Sequence, residues 1–259
     1  MQVQSTVALT LMLGPCVIPV QDRSHLNVAS AQVTAINVDT LVLVDSMRQR
    51  TIPIAYYAPH STSDDKPKLA LISHGYGANR SGTYLHFSSL AEHLASNGWT
   101  VVSIQHELPG DEPLAMKGDL RVLRRPNWER GVANIHFVLK AMKHAHPALE
   151  DAEVALVGHS NGGDISMLFA ETYPVLVESV VSLDNRRMPL PRMRTPKIRS
   201  VRANDAPADD GVLPTREEQE EFGIRTIHLP NTKHVDMDDR ATEVQRKELN
   251  ALVLDLLVN

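Results

Sequence analysis

Four apolar residues, Val154 to Val157, run without a break into Gly158-His159-Ser160-Asn161-Gly162. A short strand with no polar position is one buried on both faces, as in a parallel sheet covered by helices. The next stretch, Asp164 to Thr172, has helical spacing, so the residues between must turn sharply. A serine at the tip of so tight a turn is held in a strained backbone conformation. A Cβ at position 158 or 162 would collide with the turn, which is why glycine is needed there. The pattern G-x-S-x-G is weak by itself, since any tight turn can hold a serine. Between a buried strand and a helix it presents an exposed hydroxyl, and the helix beginning at Asn161 aims free N–H groups at any negative charge that develops there.

The rest of the chain supplies the sheet this feature requires. Leu41–Val44 and Ile52–Tyr57 read as an antiparallel pair of strands at a sheet edge. Leu69–Ser73, Val101–Ile104, Val177–Leu183, Ile198–Ala203 and Ile224–Leu229 read as further strands. Helical spacing marks Tyr84–Ser96, Trp128–Met142, Thr215–Glu221 and Ala241–Val258. The segment from His106 to Arg125 reads as a polar, proline-containing loop. Strands alternating with helices predict an α/β fold, a mostly parallel eight-stranded sheet with helices on both faces, forming one domain from residue 40 to 259.

Composition narrows the classes of partner. The formal net charge is −5 and the basic residues are scattered apart from Arg121–Arg125 and Arg186–Arg202, so nucleic acid is not an expected partner. The basic run at 186–202 reads as a solvated loop, with a local role near an acidic substrate group as the alternative. One cysteine, Cys16, excludes an internal disulfide and a cysteine metal site. No run of eighteen apolar residues occurs, so a membrane span is not expected. Residues 1–31 hold an apolar core, Val7 to Val20, and a small-residue site at Ala29-Ser30-Ala31. They read as a signal peptide, which favours a periplasmic or secreted location; a disordered or misassigned leader in a cytoplasmic protein is the alternative.

A serine hydroxyl needs a base to become a nucleophile. Twelve histidines are available. His144 and His146 sit at a helix end, His86 and His93 are spaced along one helix, and none of these forms a metal-ligand cluster. His159 lies within the turn and reads as pointing away from the hydroxyl. His234 follows the last strand in a short polar loop before the closing helix, the position a base takes when the chain order is serine, acid, histidine. The acid is expected after Ile198–Ala203. Asp205 is favoured there, Asp209 and Asp210 are alternatives, and Asp184 at the end of the preceding strand is an outside candidate whose plainer reading is an anchor for Arg186-Arg187. His74-Gly75-Tyr76-Gly77 follows the third strand, and the backbone N–H groups of Tyr76 and Asn161 are the expected oxyanion donors.

Together these stretches resemble the α/β-hydrolase superfamily, in particular dienelactone-hydrolase-like and acetylhydrolase-like serine esterases. The resemblance rests on Ser73-His74-Gly75-Tyr76-Gly77-Ala78-Asn79, on Leu94–Val102 and on Gly158–Gly163, and it covers the chain from about residue 40 onward. It implies a Ser160–His234–Asp triad, no cofactor or metal, and a small-molecule ester as substrate. Ser160 stands where true dienelactone hydrolases carry cysteine, which implies ordinary ester hydrolysis. The stretch Asn185 to Lys197 is too short for a helical lid domain, so an open site is expected, walled by Tyr76 and the loop His106–Arg125. A thioesterase or peptidase would use the same residues, and a non-catalytic binding protein on the same fold is the alternative of a different kind.

Overall fold

The computed structural model describes residues 36–59 and 66–259. The expected leader 1–31, with Cys16, lies outside the described residues. Eight strands form one sheet: β1 (Ile36–Asp45), β2 (Arg50–Pro59), β3 (Lys68–Ser73), β4 (Trp99–Ile104), β5 (Glu153–His159), β6 (Ser179–Leu183), β7 (Lys197–Arg202) and β8 (Arg225–His228). Their order is β1-β2-β4-β3-β5-β6-β7-β8. β1 and β2 are antiparallel at one edge, β2 meets β4 antiparallel, and the remaining pairs are parallel.

Period-two alternation sorts the strand side chains onto two cores. Leu69, Leu71, Val154 and Leu156 face one layer, built from α3 (Arg125–Ala145) and α4 (Asn161–Thr172). Ala70, Ile72, Ala155 and Val157 face the other, built from α1 (Ser88–Ser96) and α6 (Glu243–Val258). β5 is therefore covered on both sides, which is what its unbroken apolar run required. α3 and α4 pack closely because Gly131 has no Cβ to strike Ile165. Two short helices, α2 (Leu120–Leu123) and α5 (Arg216–Phe222), complete the set. No helix lies between β6 and β7, so the expected absence of a lid there matches the chain path among the described residues.

Two helix starts differ from the sequence reading, each for a local reason. The segment read as one helix from Tyr84 is a 3-10 turn at Thr83–Leu85 followed by α1 from Ser88. The carboxylate of Asp239 accepts hydrogen bonds from the backbone N–H groups of Ser88 (2.8 Å) and Ser89 (3.2 Å), capping α1 from 150 residues away. The loop His106–Arg125 contains α2, whose first N–H groups are capped by the side chain of Asp119. Pro126 stands in the first turn of α3, where its missing N–H costs nothing.

Central burial and edge exposure lead to opposite mutational costs. Leu156→Ala, at a fully buried position of β5, is expected to destabilise the fold by about 2–5 kcal/mol. Val42→Thr, on the exposed edge strand, is expected to stay within about 0.5 kcal/mol. Urea denaturation of both variants checks this; equal losses would contradict the burial pattern.

Candidate active site

Ser160 sits between β5 and α4 with φ 52° and ψ −117°, a conformation a residue with a Cβ adopts only under constraint. The constraint is visible on both sides. A Cβ at Gly158 would strike the carbonyl of Gly162 and the hydroxyl of Ser166, and one at Gly162 would strike the carbonyls of Ser73 and His74. The Ser160 N–H donates to the carbonyl of Leu183 (2.9 Å), tying the turn to the end of β6.

His234 reaches this turn from the loop after β8. Its Nε2 lies 3.0 Å from Ser160 Oγ and its Nδ1 lies 2.6 Å from Oδ2 of Asp184. With the carboxylate accepting from Nδ1–H, Nε2 is left free to accept the serine proton. The carboxylate on the imidazole is thus Asp184, and the expectation for Asp205 is corrected. Asp205 is exposed, and its Oδ1 accepts the backbone N–H of His234 (2.7 Å), so it fixes the loop and leaves the ring to another group. Asp209 and Asp210 are exposed as well. Asp209 stands 3.9 Å from Arg187 Nε, and Asp210 meets Arg121 only through its carbonyl. Nor does Asp184 anchor the Arg186-Arg187 backbone; the buried Asp164 accepts those N–H groups at 3.2 and 3.0 Å.

The reason Asp184 wins is positional. β6 pairs directly with β5, His159 opposite Leu183, so the residue after β6 emerges beside the serine turn. Asp184 is fully buried with φ 56°. Its Oδ1 lies 2.9 Å from Nη2 of the buried Arg202, an ion pair, and accepts the N–H of Ala203 (3.1 Å). Burial alone would raise the proton affinity of this carboxyl; the bond to His234, Arg202 and the Ala203 N–H together hold it below the usual carboxylate value. Arg202, read in the sequence as the end of a solvated basic run, is instead a buried residue of β7 paired with this carboxylate.

His159 makes no hydrogen bond to the Ser160 hydroxyl and braces the His234 loop instead. It is buried with its ring 4.8 Å from that of His234, and its Nε2–H donates to the His234 carbonyl (3.0 Å). Burial, then the neighbouring His234, lower its pKa to about 4, so the ring is neutral. His74 and His106 are buried and lowered in the same direction, burial being the main cause in both. A cavity of about 200 Å³ opens over Ser160, lined among others by Tyr76, His86, Phe87, His159, His234 and Arg240. Tyr76 is a wall as expected. The loop 106–125 does not line this cavity; it holds the Tyr76 ring in place through the Leu114 N–H, which donates to the phenol oxygen (3.1 Å). The backbone amides of Tyr76 and Asn161 donate to no other backbone group among the described residues. Also among the described residues, no cluster of three potential metal ligands occurs, and no helix is long and apolar enough to cross a membrane.

Known proteins share this fold. A family profile described as the alpha/beta hydrolase fold matches residues 70–209. A serine hydrolase-like protein of Danio rerio is 34% identical over 122 residues, 47% of this chain and 32% of that protein. The match therefore spans about a third of the length of that curated relative. A dienelactone hydrolase from Anabaena variabilis superposes with a TM-score of 0.54 at 15% identity, over 85% of this chain and 97% of its own. An α/β serine hydrolase without lid from Xanthomonas campestris gives 0.53 at 16% identity, over 85% and 94%. A dienelactone hydrolase-like promiscuous phosphotriesterase from metagenomic libraries gives 0.60 at 15%, over 86% and 98%. At such identities the likeness is one of fold.

The three buried neutral imidazoles have a consequence for stability. In the unfolded chain a histidine takes a proton near pH 6.5, whereas His159 resists protonation until about pH 4. Between those values the unfolded state binds more protons, so stability is full above pH 6.5 and falls as the pH drops toward 4. The steepest slope is about 1.4 kcal/mol per pH unit for each such histidine. His159→Gln, which keeps a donor for the His234 carbonyl, is expected to flatten this acid limb in denaturation curves taken from pH 7 to pH 4. An undiminished slope would mean that His159 is charged in the native protein.

Proposed function

This chain belongs to the alpha/beta hydrolase family, and on that footing we propose that it is a serine hydrolase cleaving a carboxylic ester through an acyl-enzyme on Ser160. The observation that carries the reading is the unbroken chain of contacts from Ser160 Oγ through His234 to the buried Asp184 carboxylate. As Oγ attacks the ester carbonyl carbon, His234 Nε2 takes the hydroxyl proton and Asp184 steadies the imidazolium that forms. The carbonyl oxygen, now an anion, rests on the N–H groups of Tyr76 and Asn161, the latter at the positive end of α4. Collapse of the tetrahedral intermediate breaks the carbon–oxygen bond to the alcohol, which leaves with the proton from His234. Water, deprotonated by the same nitrogen, then releases the acid and restores Ser160.

The cavity of about 200 Å³ over Ser160 suits a small acyl or alcohol group. The relatives named hydrolases support the same class of reaction, and the lidless path from β6 to β7 fits a substrate met in solution.

A fluorophosphonate probe is expected to label wild-type protein and not Ser160→Ala; absence of labelling in folded wild type would refute the reading. With a short-chain p-nitrophenyl ester, Asp184→Asn is expected to lower kcat by about 10⁴-fold, as when the histidine loses its tautomer. Asp205→Asn, which touches only the loop backbone, is expected to cost about tenfold or less. The reverse ranking would return the acid role to Asp205.

A further inference from the structure

Behind the serine turn lies a buried carboxyl group that the proposed mechanism does not use. Glu107 follows β4, and its side chain is 1% exposed. Its Oε1 accepts the Asn161 Nδ2–H (3.1 Å) and, at longer range, the Asn127 Nδ2–H (3.5 Å). Its Oε2 has no hydrogen-bond partner among the described residues and lies 3.8 Å from His74 Nδ1. That nitrogen donates to the carbonyl of Gly75 (2.7 Å), while His74 Nε2 accepts the N–H of His106 (3.1 Å). Glu107 therefore stands between the two segments carrying Tyr76 and Asn161.

Every side-chain hydrogen-bonding atom of Asn161 is engaged. Its Oδ1 accepts Trp128 Nε1–H (2.9 Å), and its Nδ2 donates to Asn127 Oδ1 (2.8 Å) as well as to Glu107. Asn161 is itself 1% exposed, so this bonding fixes the first residue of α4 in a single orientation. The Glu107 segment is equally fixed. Gln105 Nε2 donates to the Glu107 carbonyl (2.7 Å), and Arg50 Nη2 donates to the His106 carbonyl (2.7 Å). Burying a carboxyl group costs free energy unless its partners repay it, and here one oxygen goes unrepaid. A chain that only needed to fill the space could do so with an apolar side chain.

We propose that Glu107 is a positioning residue that sets the oxyanion hole, holding Asn161 from one side and packing against the His74–Tyr76 segment on the other. The inference rests on the acyl-enzyme reading, because only there does the aim of the Asn161 N–H matter. The oxyanion exists in the transition state and not in the bound ester. Loss of Glu107 should therefore fall on kcat, with KM little changed.

The test compares Glu107→Ala and Glu107→Gln in steady-state hydrolysis of a p-nitrophenyl ester. Glu107→Ala is expected to lose about 10²-fold in kcat, the scale of one mis-aimed donor, and to weaken inhibition by a trifluoromethyl ketone in parallel. Glu107→Gln keeps an acceptor for Asn161 Nδ2 and is expected to recover most of the loss. Unchanged kcat in folded Glu107→Ala, a loss confined to KM, or failure of glutamine to rescue would each overturn the proposal. Should Glu107→Ala not fold, Asn127→Ala, at the half-buried end of the same network, is expected to show a smaller loss of the same kind; a normal kcat there would overturn it too. If wild-type protein hydrolyses no ester and takes no fluorophosphonate, the acyl-enzyme reading itself fails. Active wild type with an unaffected Glu107→Ala removes the positioning role alone.

Discussion

The site depends on one buried carboxylate. Asp184 has no contact with water, and an ion so placed costs several kcal/mol unless neighbours compensate it. Three groups do so here. Arg202 and the Ala203 N–H hold one oxygen, and His234 holds the other. They come from two stretches, the end of β7 and the loop after β8, so satisfying this charge ties both to the end of β6. The orientation of the imidazole toward Ser160 follows from that compensation. The same contacts that stabilise the fold thereby define the geometry of the hydroxyl and the imidazole.

How much of this the sequence revealed depends on how local the cause was. The strand-turn-helix around Ser160 was legible because apolar run, glycines and helix lie within twenty residues and constrain one another. His234 was legible by its place between the last strand and the closing helix. The acid was not. Asp184 and Asp205 both end a strand in sequence, and only the order of strands in the sheet, β5 beside β6, says which one emerges next to the serine. The start of α1 was missed for a similar reason, since its cap comes from Asp239, far along the chain. Glu107 gave no sequence signal, because nothing in a single polar loop tells that a carboxylate will be enclosed by Asn127 and Asn161.

Histidine serves three different purposes within a few ångströms. His234 is only partly buried and meets the cavity, whereas His159 beside it is buried and neutral, donating to the His234 carbonyl. His74 braces the glycine loop through its ring, Nδ1–H donating to the Gly75 carbonyl. Burial separates these roles. An imidazole shut away from water becomes a fixed, neutral donor and acceptor.

The cap on α1 has a bearing on how the chain comes to be active during synthesis. Ser160 leaves the ribosome well before His234 and Asp239. Until the loop carrying them is made, the Ser160 hydroxyl has no imidazole to meet and the first amides of α1 lack their carboxylate cap. A single loop, after β8, delivers both missing parts. Completion of the helix layer and placement of the imidazole beside Ser160 thus depend on one and the same loop.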